Sequence, residues 1–334
     1  MPPLPAGRKN STSPYLLLTL LALGAKARAA EPSAVRAPPV EAKPLAEGRP
    51  LLALQPGAAK PGDPVLVTVS GMAELPTGTL AGRPLRFFPW GEGFLAVTGL
   101  PVELAPGAAQ VTVLGPAAPG AAPVELTGML DVVEPGYPER ELKVAGKYVE
   151  PPPEVKARMA ADRKAFAAAF SQPFSAPLFT RNFVWPRNDR ITAPYGDRRT
   201  FNGKLSSQHF GVDIDGDTGT PITASNDGTV VMTRDNYSAG KTVVVHHGAG
   251  LYTTYFHMSK IGVKNGVKVK QGQRLGLVGG TGRVTGPHLH WGVKADDMWV
   301  DGETLLRLDF FPPTVPGVAS GTTTTTTTTT VGSP

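Results

Sequence analysis

The sequence contains no cysteine, so its folded parts must be stable without disulfide bonds. No cysteine follows the apolar run Tyr15 to Ala25 near the amino terminus, which excludes attachment as a lipoprotein. Histidine is also scarce, with six residues in a chain of 334. Four of these six fall in three short, glycine-rich segments, and that clustering makes them the first candidates for a functional site.

The chain also lacks a large excess of charge. Its formal net charge is +6, but Arg8, Lys9, Lys26 and Arg28 lie in the first 29 residues, which contain no acidic residue. The rest of the chain therefore carries 6 − 4 = +2. There is no stripe of interleaved aromatic and basic residues of the kind that binds nucleic acid. We expect no nucleic-acid partner.

The first 29 residues predict a secretory signal peptide. Two basic residues precede the apolar run, and Ala27-Arg28-Ala29 has the small-x-small pattern of a cleavage site. The run is short for a transmembrane span, although an uncleaved signal anchor is the alternative. We expect an exported protein that is periplasmic, cell-wall-associated or extracellular, with no stable membrane span after signal cleavage.

Composition divides the remaining chain into parts. Residues 30–49 are rich in Ala and Pro and predict a linker. Residues 50–146 contain short alternating runs such as Val65 to Val69, broken by Pro-Gly pairs, which predict an Ig-like β-sandwich accessory domain. Residues 147–180 predict a helical connector, with a helix from Glu154 to Phe170 whose loose apolar stripe Asp162 interrupts. Residues 313–334 include nine consecutive threonines and predict a disordered tail.

The histidine segments have the composition of a zinc site. They are H-F-G-V-D (His209 and Asp213), Y-F-H (His257) and H-L-H (His288 and His290). Two imidazoles and a carboxylate form a three-ligand zinc site with one position open for water. Two further imidazoles can move protons. The set predicts a hydrolytic zinc enzyme, and the residues alone leave open which histidine of H-L-H is the ligand.

The spacings agree with strands. Residues i and i+2 project to the same side of a strand, so His288 and His290 can face one groove. Tyr255 and His257 repeat this alternation. The adjacent pair His246 and His247, at a strand end beside a glycine, instead predicts a structural role in which one of them hydrogen-bonds the turn.

A calcium site is a competing interpretation of the aspartates at 213, 215 and 217. These alternate like the opening of a calcium-binding loop, which requires Gly at its sixth position and Glu at its twelfth. Thr218 and Ala224 occupy those positions. We therefore expect no calcium site here.

Residues from about 182 to 309 resemble a LytM/lysostaphin-type zinc metallopeptidase, a family that cuts peptide bonds in bacterial cell walls. The H-x-x-x-D, Y-x-H and T-G-x-H-L-H patterns occur in the family's order. Flanking phrases agree too: R-x-F-N-G-K, G-T-P-I-T-A and G-Q-R-L-G-L-V-G-G-T-G. Phe210 and Met258 are mild departures that remove neither a ligand nor a proton carrier.

The resemblance implies a role for each residue. His209, Asp213 and His290 would bind one Zn²⁺ per chain, and His257 and His288 would stay unliganded as catalytic residues. It also implies an antiparallel β-sheet catalytic domain, assigned to residues 181–312, behind a β-rich accessory domain. The predicted fold class is thus all-β with a short helical connector.

The expected function is a zinc-dependent endopeptidase that hydrolyses peptide bonds in peptidoglycan stem peptides or cross-bridges. Two alternatives exist: a non-catalytic activator of another wall hydrolase with the same fold, and a secreted lytic factor directed at rival bacteria. Bound zinc separates the enzyme from the activator. The sequence carries no information about which bond is cut or about the oligomeric state.

Overall fold

Strands dominate this protein because short β-branched and aromatic runs alternate with Gly- and Pro-containing turns. A computed structural model describes residues 49–142, 152–203, 205–284, 286–312, 322–323 and 327–330. Their regular secondary structure is mostly strand, with an 18-residue helix as the main exception, which confirms the predicted all-β class. The predicted signal peptide, nearly all of the linker and most of the tail lie outside the described residues.

The accessory region folds as two sheets packed face to face. In the described residues, one sheet has the order β24 (Thr322–Thr323), β1 (Leu51–Gln55), β3 (Pro64–Ser70), β7 (Gly93–Gly99) and β6 (Phe87–Trp90). The other has the order β2 (Ala58–Ala59), β9 (Pro123–Val132), β8 (Gly107–Pro116), β4 (Thr77–Leu80) and β5 (Arg83–Pro84), with β25 (Thr327–Thr330) added to β9. Val65 and Val67 of one sheet share an apolar core with Val111 and Leu126 of the other. A β-sandwich results, and its Ig-like character stays a prediction, as do the domain boundaries. The strand β10 (Glu139–Leu142) follows the sandwich in the chain and belongs to a different sheet.

The connector contains helix α1 (Pro153–Phe170), which confirms the predicted helix. Asp162, which interrupts its apolar stripe, is buried against the central sheet. Its carboxylate accepts hydrogen bonds from Arg234 Nε at 3.0 Å and the Tyr237 backbone N–H at 2.7 Å. Because each oxygen of this buried carboxylate accepts a hydrogen bond from the sheet region, Asp162 stabilises the contact between the helix and the sheet. Among the described residues, neither helix combines the length and apolar character needed to cross a membrane.

The remaining chain is built on a central sheet. Within the described residues this sheet has eight strands, in the order β11-β14-β22-β18-β17-β16-β20 with β23 beside β22, and its pairs are antiparallel. The elements are β11 (Ile191–Ala193), β12 (Arg198–Phe201), β13 (Leu205–Gln208), β14 (Val212–Asp215), β15 (Pro221–Thr223), β16 (Gly228–Asn236), β17 (Gly240–Gly248), β18 (Leu251–Met258), β19 (Lys260–Ile261), β20 (Lys268–Val269), β21 (Arg274–Leu277), β22 (His288–Ala295), β23 (Met298–Val300), α2 (Gly302–Leu305), β24 (Thr322–Thr323) and β25 (Thr327–Thr330).

The sandwich and the central sheet are packed against each other. Leu66 and Leu95 of the sandwich belong to the same buried cluster as Trp291 and Phe310. At Gly99 the sandwich lies so close to the central sheet that a Cβ atom there would be 2.5 Å from Val300 Cγ1. The parallel pairing of β10 with β12 adds a backbone link between the two regions. The accessory region is therefore docked by a continuous apolar core.

Six threonines of the tail differ from the predicted disorder. Thr322–Thr323 pair with β1, and Thr327–Thr330 pair with β9. Threonine is β-branched and favours extended backbone, while a sheet edge offers unpaired N–H and C=O groups. These residues extend both sheets of the sandwich.

Candidate metal centre

Two neighbouring strands bring the predicted ligands together. Asp213 on β14 lies directly opposite His290 on β22, and Asp215 lies opposite His288. Directly opposed residues of an antiparallel pair share one face of a sheet. His209 lies four residues before Asp213 and reaches the same face from the segment that precedes β14.

His209, Asp213 and His290 converge on one point. His209 Nε2 lies 3.0 Å from Asp213 Oδ1 and 3.0 Å from His290 Nδ1, and His290 Nδ1 lies 2.9 Å from Asp213 Oδ1. In a tetrahedral zinc site with bonds of about 2.0–2.1 Å, ligand atoms lie about 3.4 Å apart. Two imidazole nitrogens and a carboxylate oxygen at nearly this spacing could hold a metal ion.

The surroundings orient the imidazoles of His209 and His290, the two histidines predicted to be ligands. His209 Nδ1 lies 2.8 Å from the Pro194 carbonyl oxygen. Because a carbonyl can only accept, Nδ1 carries the proton and Nε2 presents its lone pair to the site. Gly211 leaves room for His290, since a Cβ there would lie 2.5 Å from His290 Nε2. The Phe256 ring stacks on His290 with centroids 5.0 Å apart and planes at 12°.

Charge in the site also favours ligation. Burial raises the pKa of Asp213, but the neighbouring His209 and His290 outweigh burial and hold it well below the usual range. Burial lowers the pKa of His290 to about 4, against the opposing effect of Asp213. Asp213 is thus an anion and His290 a neutral imidazole near neutral pH. These are the protonation states in which carboxylate and imidazole bind metals.

His257 and His288 lie beside the three converging residues. Their ring centroids are 4.9 Å apart, and His288 Nε2 is 3.7 Å from Asp213 Oδ1. His257 Nδ1 lies 3.0 Å from the Thr281 carbonyl oxygen, and His288 Nδ1 lies 3.0 Å from that of Gly286. Both rings therefore donate through Nδ1, which leaves the Nε2 lone pairs to accept a proton.

His257 Nε2 is buried and has no hydrogen-bond partner among the described residues. Burial lowers the pKa of His257 to about 3, with a further contribution from His288 and His290. The imidazole is therefore neutral near pH 7. A neutral Nε2 without a partner, on a ring beside His288 and His290, can accept a proton from a bound reactant.

The predicted alternation of Tyr255 and His257 is wrong. Tyr255 lies opposite Trp291 and its hydroxyl accepts from the Ser225 N–H, so it belongs to the other face of the sheet. Regular alternation would send His257 to that face as well. The pairing of β18 with β17 shifts register here, and His257 has φ = 64°. This bulge with left-handed backbone re-aims the imidazole towards the metal centre.

The structural interpretation of His246 and His247 agrees with the contacts of His247. Its Nδ1 lies 2.7 Å from the Asp227 carbonyl oxygen and its Nε2 lies 2.8 Å from Thr253 Oγ1. Both ring nitrogens are thus engaged within the fold. His246 stacks on Tyr252 with ring centroids 4.7 Å apart. Neither histidine joins the metal centre.

Sequence reasoning missed three residues that support the histidines of the site, namely Pro194, Phe256 and Thr281. Pro194 and Thr281 act through backbone carbonyls, and because every residue has a carbonyl, the sequence does not single them out. Phe256 had a detectable signal, because it is the residue before a candidate histidine in a strand. Its position opposite His290 depends on the strand register, which the sequence does not state.

The model of "Peptidase family M23" matches residues 207–302, which include all five site residues. A Pseudomonas aeruginosa protein whose crystal structure is described as a peptidase M23 is 30% identical to this chain. The similarity covers 74% of this chain and 94% of that one, with a TM-score of 0.56. The chain belongs to peptidase family M23. The predicted family and LytM-type catalytic fold are thus confirmed, and M23 peptidases are metallopeptidases.

Curated relatives of this M23 chain come from Vibrio cholerae serotype O1. Peptidoglycan DD-endopeptidase ShyA is 50% identical over 103 residues, which cover 30% of this chain and 24% of the relative. Peptidoglycan DD-endopeptidase ShyC is 41% identical over 104 residues, again 30% of this chain and 24% of the relative. The similarity thus spans about a quarter of the length of either relative.

Proposed function

We propose that this M23 protein is a zinc-dependent endopeptidase that hydrolyses peptide bonds in peptidoglycan stem peptides or cross-bridges. The observation that carries the proposal is the convergence of His209 Nε2, Asp213 Oδ1 and His290 Nδ1 within 3.0 Å of one another. His257 and His288, which would not bind the metal, lie beside these three residues. The relatives named as peptidoglycan DD-endopeptidases support the substrate class.

His209, Asp213 and His290 would hold one zinc ion, and His257 and His288 would act on protons. Zinc in such a donor set supplies a Lewis acid, which polarises the scissile carbonyl and lowers the pKa of water towards ~7. His257 Nε2 is a neutral acceptor and would take a proton from the attacking water. His288, once protonated at Nε2, would donate a hydrogen bond to the developing oxyanion or pass that proton to the leaving amine.

The non-catalytic activator is not favoured. An activator of this fold has no need of a complete ligand set, whereas here the three ligands and both additional histidines meet in one site. The proposed location is outside the cytoplasmic membrane, in the periplasm or the cell wall, where peptidoglycan lies. The predicted signal peptide agrees with this location.

The test combines metal content with wall digestion. Purified full-length protein should bind about one zinc per chain, solubilise isolated sacculi and lose that activity with a chelator. His209→Ala should abolish both zinc binding and digestion. Undiminished digestion by metal-free His209→Ala protein would refute the proposal, while zinc-free wild-type protein would favour the activator. Mass spectrometry of products from defined muropeptides would identify the bond cut.

A further inference from the structure

Helix α1 and the metal centre occupy the same face of the central sheet. Phe256 on β18 lies directly opposite His290 on β22, so both side chains project from one face. Phe166 of α1 contacts Phe256, with ring centroids 5.7 Å apart and planes at 67°. One aromatic ring therefore separates the connector helix from a predicted metal ligand.

The stack limits the movement of the His290 imidazole. Phe256 lies nearly parallel to it at 12°, and both rings are almost fully buried. The Gly211 backbone closes the side near Nε2. Among the described residues, the hydrogen bonds of the His290 side chain all involve Nδ1, the atom that points at the other two ligands. His209, by contrast, is oriented by the Pro194 carbonyl oxygen.

We infer that Phe256 and Phe166 are positioning residues for the metal ligand His290. Phe256 sets the plane of the imidazole, and Phe166 holds Phe256 in place from α1. Ring packing thus does for His290 what a hydrogen bond does for His209. The inference rests on the proposed function, because it takes His290 as a ligand. It makes the connector helix part of the support of the metal centre.

The experiment is zinc affinity, measured by chelator competition on the full-length chain. Phe256→Leu and Phe166→Leu replace flat rings with apolar side chains that helices and cores tolerate. Phe179→Leu is the matched control, since Phe179 is equally buried but packs in a separate aromatic cluster with Phe183 and Phe310. Circular dichroism of each metal-free variant establishes folding, and the visible spectrum of the cobalt-substituted protein reports ligand geometry.

Phe256→Leu should weaken zinc binding about 10-fold, at the lower end of the effect of groups that orient metal ligands. Phe166→Leu should weaken it less, and should add nothing in the Phe256→Leu background because it acts through that ring. Both should alter the cobalt spectrum, whereas Phe179→Leu should leave affinity and spectrum unchanged.

Zinc affinities of Phe256→Leu and Phe166→Leu within twofold of the Phe179→Leu value would overturn the inference while leaving the proposed function intact. Absence of zinc from the wild-type chain would instead overturn the proposed function. If Phe256→Leu fails to fold, the half-buried helix variant Phe166→Leu decides the matter by itself.

Discussion

The accessory sandwich and the histidine-rich end of the central sheet bury different kinds of side chain. Among described residues 50–142, Asp63 and Thr98 are the buried polar ones, and both bond to the other region, at Thr304 and Asp296. The histidine-rich end instead buries imidazoles, with His209, His257 and His290 among them. Buried polar groups cost free energy unless they are paired. The buried polar groups of the sandwich therefore take part in the contact between the two regions, whereas those of the central sheet include the candidate metal centre.

Removing a proposed metal ligand should have the largest effect, because it should abolish both zinc binding and hydrolysis. His209→Ala or Asp213→Ala should lose both zinc and activity, since two protein ligands rarely retain a catalytic zinc. Elemental analysis and sacculus digestion measure the two losses, with His290→Ala beside them. Zinc retained by His290→Ala but lost by His288→Ala would reverse the ligand assignment within H-L-H.

Removing a proton carrier should separate chemistry from metal binding. His257→Ala and His288→Ala should keep zinc, because the three ligands remain, while hydrolysis falls by roughly 10²–10⁴-fold. The paired assays of zinc content and hydrolysis check this. Loss of zinc in either variant would show that the residue supports the metal directly.

A cavity in the sandwich core should lower the free energy of unfolding without changing zinc affinity. Leu126 is fully buried in the sandwich core, and Leu126→Ala should lower the free energy of unfolding by about 2–5 kcal/mol. Urea unfolding of the metal-free protein measures this loss. Zinc affinity of the folded variant should match the wild type, and a large change in it would mean that the two regions are coupled.

The junction between the regions should respond to pH. Burial raises the pKa of Asp301 to about 7, with added repulsion from Asp63 and Glu303. Because the folded pKa lies above the unfolded value, the folded state favours the protonated acid. The favourable effect is complete below about pH 4 and is lost as pH rises towards 7.

Asp301→Asn should therefore stabilise the protein at pH 8, on the order of 1–3 kcal/mol, and much less at pH 4.5. Asparagine can still accept the hydrogen bond from the Glu303 N–H at the start of α2. Thermal unfolding at the two pH values gives the comparison. Glu303→Gln is the control, since it removes the neighbouring charge and should have a smaller effect in the same direction. Equal changes at both pH values would contradict a titrating Asp301.

Much of the site could be predicted because metal chemistry restricts residue type and number. The gathering of His209, Asp213 and the two histidines of H-L-H, the α1 helix and the structural interpretation of His247 followed from local pattern, whereas the choice of His290 as a ligand rests on the family resemblance and stays a prediction. The orientation of His257 did not, because a register shift in β18 and a left-handed φ override the two-residue period. The burial of Asp162 was also missed, since its partners lie more than 70 residues away in sequence.

The sequence by itself determined which chemical groups the protein holds: four imidazoles and a carboxylate, which we propose to bind a metal and to move protons. Tertiary structure decided how these groups face one another. Strand register places Asp213 of β14 and Phe256 of β18 on either side of His290 in β22. Helix α1 then packs against the Phe256 ring through Phe166. The physical reason is that side-chain chemistry is local, whereas register, bulges and docking depend on contacts between distant segments.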